Sequence, residues 1–256
     1  MKKFELTGEF KTLFGRKLFR IRALVNFRDV ESGDLGGYVE KEENLSHDGN
    51  AWVHGNALVF GNARVFGNAQ VYDNAWVCGN ALVYGNAQVC QNAQVCGNAR
   101  VFGNAQVCDN ARVCGDAWVC GNAQVCVNAQ VYGDAQVYGN AQVYGDAQVY
   151  GDARVYCDAR VYENAQVYGN AWVCGDAQVR DDADYACVKG FGSEYRTTTF
   201  FRTKDGGIGV RCGCFYGTLD AFREKVKETH DDTKYAQEYL MISELMELHF
   251  AGGKQQ

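Results

Sequence analysis

Cysteine is the residue type in this sequence with the most chemistry to offer, since the chain has 12 of them. Six fall into two evenly spaced series: Cys90, Cys108 and Cys126, and Cys78, Cys96 and Cys114. Stacked thiolates suggest a zinc site, but tetrahedral zinc needs converging ligands, whereas ladder side chains leave a sheet in parallel. A disulfide meets a similar obstacle, because adjacent strands hold Cβ atoms further apart than it prefers. We therefore expect these thiols to be small filler and expect no metal or cofactor.

Acidic side chains offer a second possible ion site. Asp116, Asp134 and Asp152 follow one another at the same interval as the cysteines, and stacked carboxylates could hold a cation. Asp replacing Asn in a turn that needs a positive φ is the simpler explanation, and it is the one we favour.

Groups that could perform acyl transfer are scarce. Of the four histidines, only His54 lies between residues 51 and 182, and His47 comes shortly before it. No Ser or Thr occurs in that stretch, so a general base at either histidine would have no aliphatic hydroxyl nucleophile there. The sequence therefore predicts no catalytic residues.

All these spacings come from one repeat. From Ala51 to Asp182 the chain consists of 22 copies of Ala-x-Val-x-Gly-Asn/Asp, with occasional replacements of the Gly. Alternation of Ala and Val with variable residues predicts a short strand with one buried face, and Gly-Asn or Gly-Asp predicts a tight corner. Three copies per turn would make a triangular solenoid with 18 residues per coil, a little over seven coils and a length of about 35 Å, its coils pairing in parallel.

The repeat resembles a known family of folds. Read from Val53, Val-x-Gly-Asn-Ala-x is similar to the hexapeptide motif of left-handed parallel β-helices, and the left hand is implied by that resemblance. Many such proteins are acyltransferases, with a catalytic His at a subunit boundary and loops that interrupt the coils. This repeat has no insertion, which argues against acyl transfer.

Both flanking regions carry resemblances of their own. Leu18–Val53, with RIRAL, GDLGGYVE, ENLS and NAWV, resembles the start of uncharacterised bacterial and phage hexapeptide-repeat proteins of the YdcK-like group. Thr199–His230, with FFRTKDG, VRCGCF and VKETH, looks like a small C-terminal module of phage and Firmicute-type proteins of unknown role. Neither resemblance implies an activity.

We predict three domains. Residues 1–50, with a strand-like run at Lys17–Phe27, form an N-terminal β cap, residues 51–182 form the β-helix, and residues 183–256 form a small α+β module. In the module, strands Tyr195–Thr203 and Ile208–Phe215 make a β-hairpin on which Cys212 and Cys214 share one face. One helix runs from an N-cap at Thr218 to about His230. A second starts at Asp232 or Thr233, carries Tyr235, Tyr239, Ile242, Leu245 and His249 at helical spacing, and stops at Gly252-Gly253.

The outward positions suggest a binding surface. Columns of Tyr, Phe, Cys and Trp would expose more apolar surface than a monomer usually leaves in water. We expect another copy of the chain, a terminal segment or a partner protein to cover at least one face, although Tyr hydroxyls and Gln amides could instead keep it hydrated. The candidate interaction residues are Tyr132, Tyr138, Tyr144, Tyr150, Tyr156, Tyr162, Tyr168, Trp118 and Trp172.

Charge and hydropathy narrow the function further. The net charge is −6, with no basic stripe for nucleic acid. No apolar run is long enough for a signal peptide or a membrane span. We thus expect a cytoplasmic protein, phage-, prophage- or bacterium-encoded, with reduced cysteines.

Three functional hypotheses remain open. The first is a non-catalytic scaffold for self-assembly or protein binding, of which a phage-encoded inhibitor of a host protein is one form. The second is small-molecule binding or acyltransferase-like activity in inter-chain clefts of a trimer. The third is end-to-end polymer formation, which loss of the N-terminal cap should promote.

Overall fold

The structure, a computed structural model, describes residues 1–251. Three strands precede the repeat: β1 (Phe4–Leu13), β2 (Arg16–Ala23) and β3 (Leu35–Val39), followed by a short 3₁₀ helix at Glu42–Asn44. Each copy of the repeat then contributes one two-residue strand. In chain order β4 to β25 are Trp52–Val53, Leu58–Val59, Arg64–Val65, Gln70–Val71, Trp76–Val77, Leu82–Val83, Gln88–Val89, Gln94–Val95, Arg100–Val101, Gln106–Val107, Arg112–Val113, Trp118–Val119, Gln124–Val125, Gln130–Val131, Gln136–Val137, Gln142–Val143, Gln148–Val149, Arg154–Val155, Arg160–Val161, Gln166–Val167, Trp172–Val173 and Gln178–Val179.

Each repeat strand pairs in parallel with the third strand after it along the chain, as Val89 does with Val107. This confirms the predicted parallel β-solenoid, with three flat faces. The glutamine face is the sheet of β4, β7, β10, β13, β16, β19, β22 and β25. The hairpin face contains β5, β8, β11, β14, β17, β20 and β23 and continues through β3 into β2 and β1. The arginine face contains β6, β9, β12, β15, β18, β21 and β24.

The interior is built from only two side chains per copy. The Ala and Val of all copies are 0% exposed and form one continuous core. Corners between faces are closed by glycines with positive φ, such as Gly97 at 69°. A Cβ placed on Gly97 would lie 2.9 Å from the backbone N and O of Gly115 in the next coil, so the stacking at this corner also favours glycine. Another corner instead carries side chains at positive φ in consecutive coils: Gln91, Asp109 and Val127.

Parallel pairing begins before the repeat. Strand β3 pairs in parallel with β5, with Tyr38 opposite Leu58, and so adds a rung beneath the first full coil. Strand β1, antiparallel to β2, continues this sheet outward. The Lys3 ammonium donates hydrogen bonds to the free carbonyls of Gly49 (3.2 Å) and Ala51 (2.8 Å). The strand predicted at Lys17–Phe27 corresponds to β2, which ends earlier, at Ala23, whereas β1 was not predicted.

The other end of the solenoid is closed by the chain that follows it. A 3₁₀ helix at Asp182–Asp184 leads into β26 (Tyr185–Val188). The free amide of Gln166 donates to Asp182 Oδ1 at 2.9 Å, and that of Trp172 donates to Thr199 Oγ1 at 3.0 Å. Phe201 belongs to the same core cluster as the repeat, so the module is packed directly onto the last coil.

The C-terminal module is larger in β content than predicted. Its antiparallel sheet has four strands, β26, β27 (Thr198–Arg202), β28 (Ile208–Cys212) and β29 (Phe215–Thr218), so the single hairpin of the prediction was incomplete. The prediction of one strand over Ile208–Phe215 was wrong, because the chain turns at Gly213, whose φ is 57°. Cys212 ends one strand and Cys214 lies in the turn, so the two do not share a strand face.

The two helices run close to their predicted bounds. Helix α1 spans Leu219–His230 with the Thr218 hydroxyl accepting from the Ala221 amide, which confirms the predicted N-cap. Helix α2 spans Lys234–Ala251, and its predicted stop at Gly252-Gly253 lies outside the described residues. Of the residues predicted at helical spacing, Tyr239 and Ile242 are buried, whereas Leu245 is 56% exposed. Neither helix is long and apolar enough to cross a membrane, nor is any other in residues 1–251.

Candidate functional site

The nine candidate interaction residues do not form one surface. Tyr144 and Tyr162 follow strands of the glutamine face, Tyr132, Tyr150 and Tyr168 follow strands of the hairpin face, and Tyr138, Tyr156, Trp118 and Trp172 belong to the arginine face. Each face therefore has to be judged separately.

The tyrosine columns are ordered stacks in which some hydroxyls bond to glutamine side chains. The rings of Tyr132 and Tyr150 lie 5.0 Å apart and nearly parallel. The Tyr132 hydroxyl donates to Gln148 Oε1 at 3.1 Å, and the Tyr72 hydroxyl donates to Gln88 Oε1 at 3.0 Å. Burial and the neighbouring Cys90 raise the pKa of Tyr72 to about 12. The stacked rings therefore stabilise the pairing of successive coils, and the hydroxyls of Tyr72 and Tyr132 already have partners in the chain.

The hairpin face is partly covered by the N-terminus. Phe14, at the tip of the β1–β2 hairpin, packs edge-on against Trp76 with ring centroids 6.3 Å apart. Leu13 and Trp76 also join a small cluster around Leu18 and Phe60. A terminal segment thus shields the first coils of this face from solvent.

The arginine face brings aromatic rings and guanidinium groups into contact. Trp118 is 39% exposed, its ring lies 5.2 Å from the Arg100 guanidinium, and Phe102 packs edge-on against it at 6.4 Å. Arg64 lies over Phe66 in the same way, at 5.8 Å. These arginines were not predicted as part of the surface, although they lie a whole number of coils apart in the sequence and so belong to one column.

The arginine face continues onto the C-terminal module. The Trp172 ring is stacked between the guanidinium of Arg154, at 4.7 Å, and that of Arg211 from β28, at 5.3 Å. Beside it lies a cavity of about 520 Å³ whose lining includes the cations Lys189, Arg196 and Arg211 and the aromatic rings of Trp172 and Tyr195. The Nε of Arg211 is buried and has no hydrogen-bond partner among residues 1–251.

His47 and His54 both make contacts within the chain. The Nδ1 of His47 accepts from the Lys3 amide at 3.1 Å, its Nε2 lies 2.7 Å from Glu42 Oε1, and its ring stacks on Phe4 at 4.4 Å. His54 Nε2 lies 2.7 Å from the Gln70 side-chain oxygen. Both rings are therefore held in the contacts that close the first coils.

The acidic column leaves its carboxylates exposed. Asp116 accepts from the Asn98 side-chain amide at 2.8 Å and so ends a ladder of asparagines. Asp152 accepts from Asn170 at 3.5 Å, and Asp134 lies between them on the same corner. Asp116 and Asp152 therefore belong to the ladder of hydrogen-bonded side chains along this corner.

The two cysteine columns differ in what flanks them. Beside Cys78, Cys96 and Cys114 the corner residues are glycines, whereas beside Cys90, Cys108 and Cys126 they are Gln91, Asp109 and Val127, all with positive φ. Ligand atoms of Cys108, Asp109 and Cys126 lie within 4.8 Å of one another, the one such group of three that residues 1–251 contain. Hydrogen bonding to its two neighbours raises the pKa of the Cys108 thiol, whereas the bond from Cys108 lowers the pKa of Cys126.

Comparison with known proteins identifies the repeat. Seven segments match the family model described as the YdcK Beta solenoid repeat: residues 57–73, 75–91, 93–109, 105–121, 129–145, 147–163 and 165–181. No curated protein shows a significant match to the chain. These matches identify the stretch between residues 57 and 181 as a YdcK β-solenoid repeat array.

Proposed function

We propose that the protein is a non-catalytic scaffold whose arginine face binds protein, either a different protein or a second copy of the chain. The observation that carries the proposal is the exposed Trp118, which contacts Arg100 and Phe102 of the preceding coil in the middle of a flat face. Trp and Arg are enriched among the residues that dominate binding energy at protein interfaces.

Rigidity supports this role. The Ala and Val at the first and third positions of every copy are buried, and the arginine-face side chains stand on strands that pair with neighbouring coils. Side chains that are already ordered lose little conformational entropy on binding, which favours affinity. A scaffold of this kind presents a preformed surface rather than one that must fold around its partner.

The C-terminal module adds basic side chains to one end of the arginine face. Arg211 stacks on Trp172 and so joins the module to the arginine face. With Lys189 and Arg196 nearby, this end favours an acidic segment of a partner. Inhibition of a host protein by a phage-encoded copy is one form of the proposal, and it requires the host protein to bind here.

Catalysis has no part in the proposal. The coils are uninterrupted from residue 51 to residue 182, that stretch contains no Ser or Thr, and His47 and His54 are held in structural contacts. All 12 cysteines are free thiols, which suits the reducing cytoplasm in which we place the protein.

The first test is the molar mass of the reduced protein by size-exclusion chromatography with light scattering. If the partner is a second copy, the mass should be a multiple of 28.3 kDa. Arg100→Ala and Trp118→Ala should then return it to the monomer, whereas Gln106→Ala and Gln124→Ala on the glutamine face should not. An oligomer that only the glutamine-face variants disrupt would contradict the proposal.

If the protein is a monomer, a photo-crosslinking residue at position 136, beside Trp118 on the arginine face, should capture one protein in cells of the source organism. The same residue at position 106, on the glutamine face, serves as the matched control. Capture must also be lost when Trp118→Ala is combined with the position-136 probe. Equal capture from both positions, or from neither, would contradict binding by the arginine face.

A second candidate function is binding of an anionic small molecule in the cavity beside Trp172. Lys189, Arg196 and Arg211 outnumber the one carboxylate of its lining, that of Glu194, which lies 3.7 Å from the Arg196 guanidinium. The buried Arg211 Nε, without a partner among residues 1–251, also favours it. Acyl-CoA or nucleotide ligands should then raise the melting temperature, and Lys189→Ala with Arg196→Ala should remove the rise. Lack of any rise across such a panel would exclude this candidate.

A further inference from the structure

The corner beside Cys90, Cys108 and Cys126 carries one side chain with a carboxylate, that of Asp109, where most copies have glycine. Glycine occupies the fifth position of most copies, but Asp109 takes it between Cys108 and Cys126. Its φ of 59° is unusual for a residue with a side chain. Asp109 Oδ2 accepts from the amide of Val127 at 3.2 Å, so the carboxylate leans toward the coil that carries Cys126.

This lean creates the convergence that a cysteine ladder alone lacks. Two thiols from adjacent coils and one carboxylate offer ligand atoms that all lie within 4.8 Å of one another, and all three residues are half-buried. Zn²⁺ with bonds of about 2.3 Å to sulfur would place two thiolates about 3.8 Å apart. Closing the remaining gap needs only a small rotation of each cysteine side chain.

We propose that Cys108, Cys126 and Asp109 form a binding site for one soft divalent metal ion such as Zn²⁺ or Cd²⁺. Two thiolates and a carboxylate oxygen supply three ligands, and a water molecule would take the fourth position. Binding one ion displaces the protons of the two thiols, which leave to solvent. No oxidant or reductant is required.

The neighbouring thiols mark the boundaries of the site. Between Cys90 and Cys108 the corner residue is Gln91, whose side-chain oxygen already accepts from the Asp109 amide at 2.7 Å. In the second column the corners are glycines, including Gly115 beside Cys114, and they offer no side-chain ligand. The chain therefore contains its own control: a stack of three thiols without a carboxylate.

The test is titration of the full, reduced chain with Cd²⁺ under anaerobic conditions, read by thiolate-to-metal charge-transfer absorbance and by native mass spectrometry. Zn²⁺ affinity follows from competition with a chelator. We expect one tightly bound ion per chain, loss of this ion in Cys126→Ser, and affinity at least about tenfold weaker in Asp109→Asn. Cys114→Ser should bind as the parent chain does.

Asp109→Asn retains an oxygen that can accept from Val127, so its fold should be preserved, and circular dichroism without metal checks this for each variant. The proposal is overturned if the parent chain binds no ion, if Asp109→Asn binds as tightly as the parent, or if Cys114→Ser weakens binding as much as Cys126→Ser.

Discussion

At the scale of single residues, the corner glycines set how closely two coils can approach. A Cβ on Gly97 would lie 2.9 Å from Gly115, whereas one on Gly169, near the last coil, would have no atom within 4 Å. Both glycines have similar positive φ values, 69° and 64°. The pair therefore separates the cost of the backbone conformation from the cost of the stacking contact.

We expect Gly169→Ala to lower the free energy of unfolding by about 1 kcal/mol, the cost of a side chain at positive φ. Gly97→Ala should cost at least about 1 kcal/mol more, because the coils must separate to admit the Cβ. Urea unfolding followed by circular dichroism measures both. Equal losses in the two variants would show that stacking imposes no constraint of its own.

Tyr72 links a single hydroxyl to the pH dependence of stability. Burial and Cys90 raise its pKa from 10.0 to about 12 in the folded chain. Below pH 10 the hydroxyl is protonated in both states and contributes no pH dependence. As the pH rises from 10 toward 12, the unfolded chain loses the proton first, so the stability should fall.

The measurement is urea unfolding at several pH values between about 9 and 11. Tyr72→Phe cannot ionise, so it should show a shallower decline over this range than the parent chain. It should also be somewhat less stable at pH 8, because the hydrogen bond to Gln88 is lost. A decline identical to that of the parent would mean that folding does not raise the pKa of Tyr72.

At the scale of the structural element, the unit of this fold is the coil of three repeat copies. One coil contributes one strand to each face, and its Ala and Val fill the same interior as those of every other coil. Stability of such arrays is approximately a sum of coil and neighbour terms. A whole coil is therefore removable without changing which residues face inward or which columns they join.

Deletion of residues 129–146 should leave a folded, shorter solenoid with its three faces in register. We expect cooperative unfolding with a smaller urea m-value, because less surface is exposed on unfolding. Deletion of half that segment, residues 129–137, shifts the alternation and would place outward residues inside, so that variant should fail to fold. Two folded proteins, or two unfolded ones, would show that the coil is not the unit.

The interior of the solenoid could be predicted from the sequence, whereas contacts that depend on turn geometry could not. Ala and Val at fixed positions determine the interior, so the solenoid, its coil length and its parallel pairing could be predicted from spacing alone. Asp109 lies next to Cys108 in the chain, but its approach to Cys126 depends on a hydrogen bond to the next coil. In the C-terminal module, likewise, the turn at Gly213 divides a run whose sequence predicts a single strand.

At the scale of the whole molecule, both ends of the solenoid are closed. Lys3 and the β1–β2 hairpin cover the first coils, and Asp182, Thr199 and the module cover the last. Parallel continuation from one chain to the next would bring the first coil of one against the last coil of another, a head-to-tail contact that repeats without limit. Either cap is enough to block it.

Contrary to the expectation from the sequence, removal of the N-terminal cap alone should therefore not produce polymers, because the C-terminal module still closes the other end, whereas removal of both caps should. We expect the chain lacking residues 1–34, and separately the chain lacking residues 183–256, to remain species of discrete mass. The chain lacking both should form linear assemblies whose length grows with concentration, because each free edge pairs with the opposite edge of a neighbour. Light scattering and electron microscopy measure the outcome. If the chain lacking only residues 1–34 assembles as readily as the chain lacking both segments, the C-terminal module does not close its end of the solenoid.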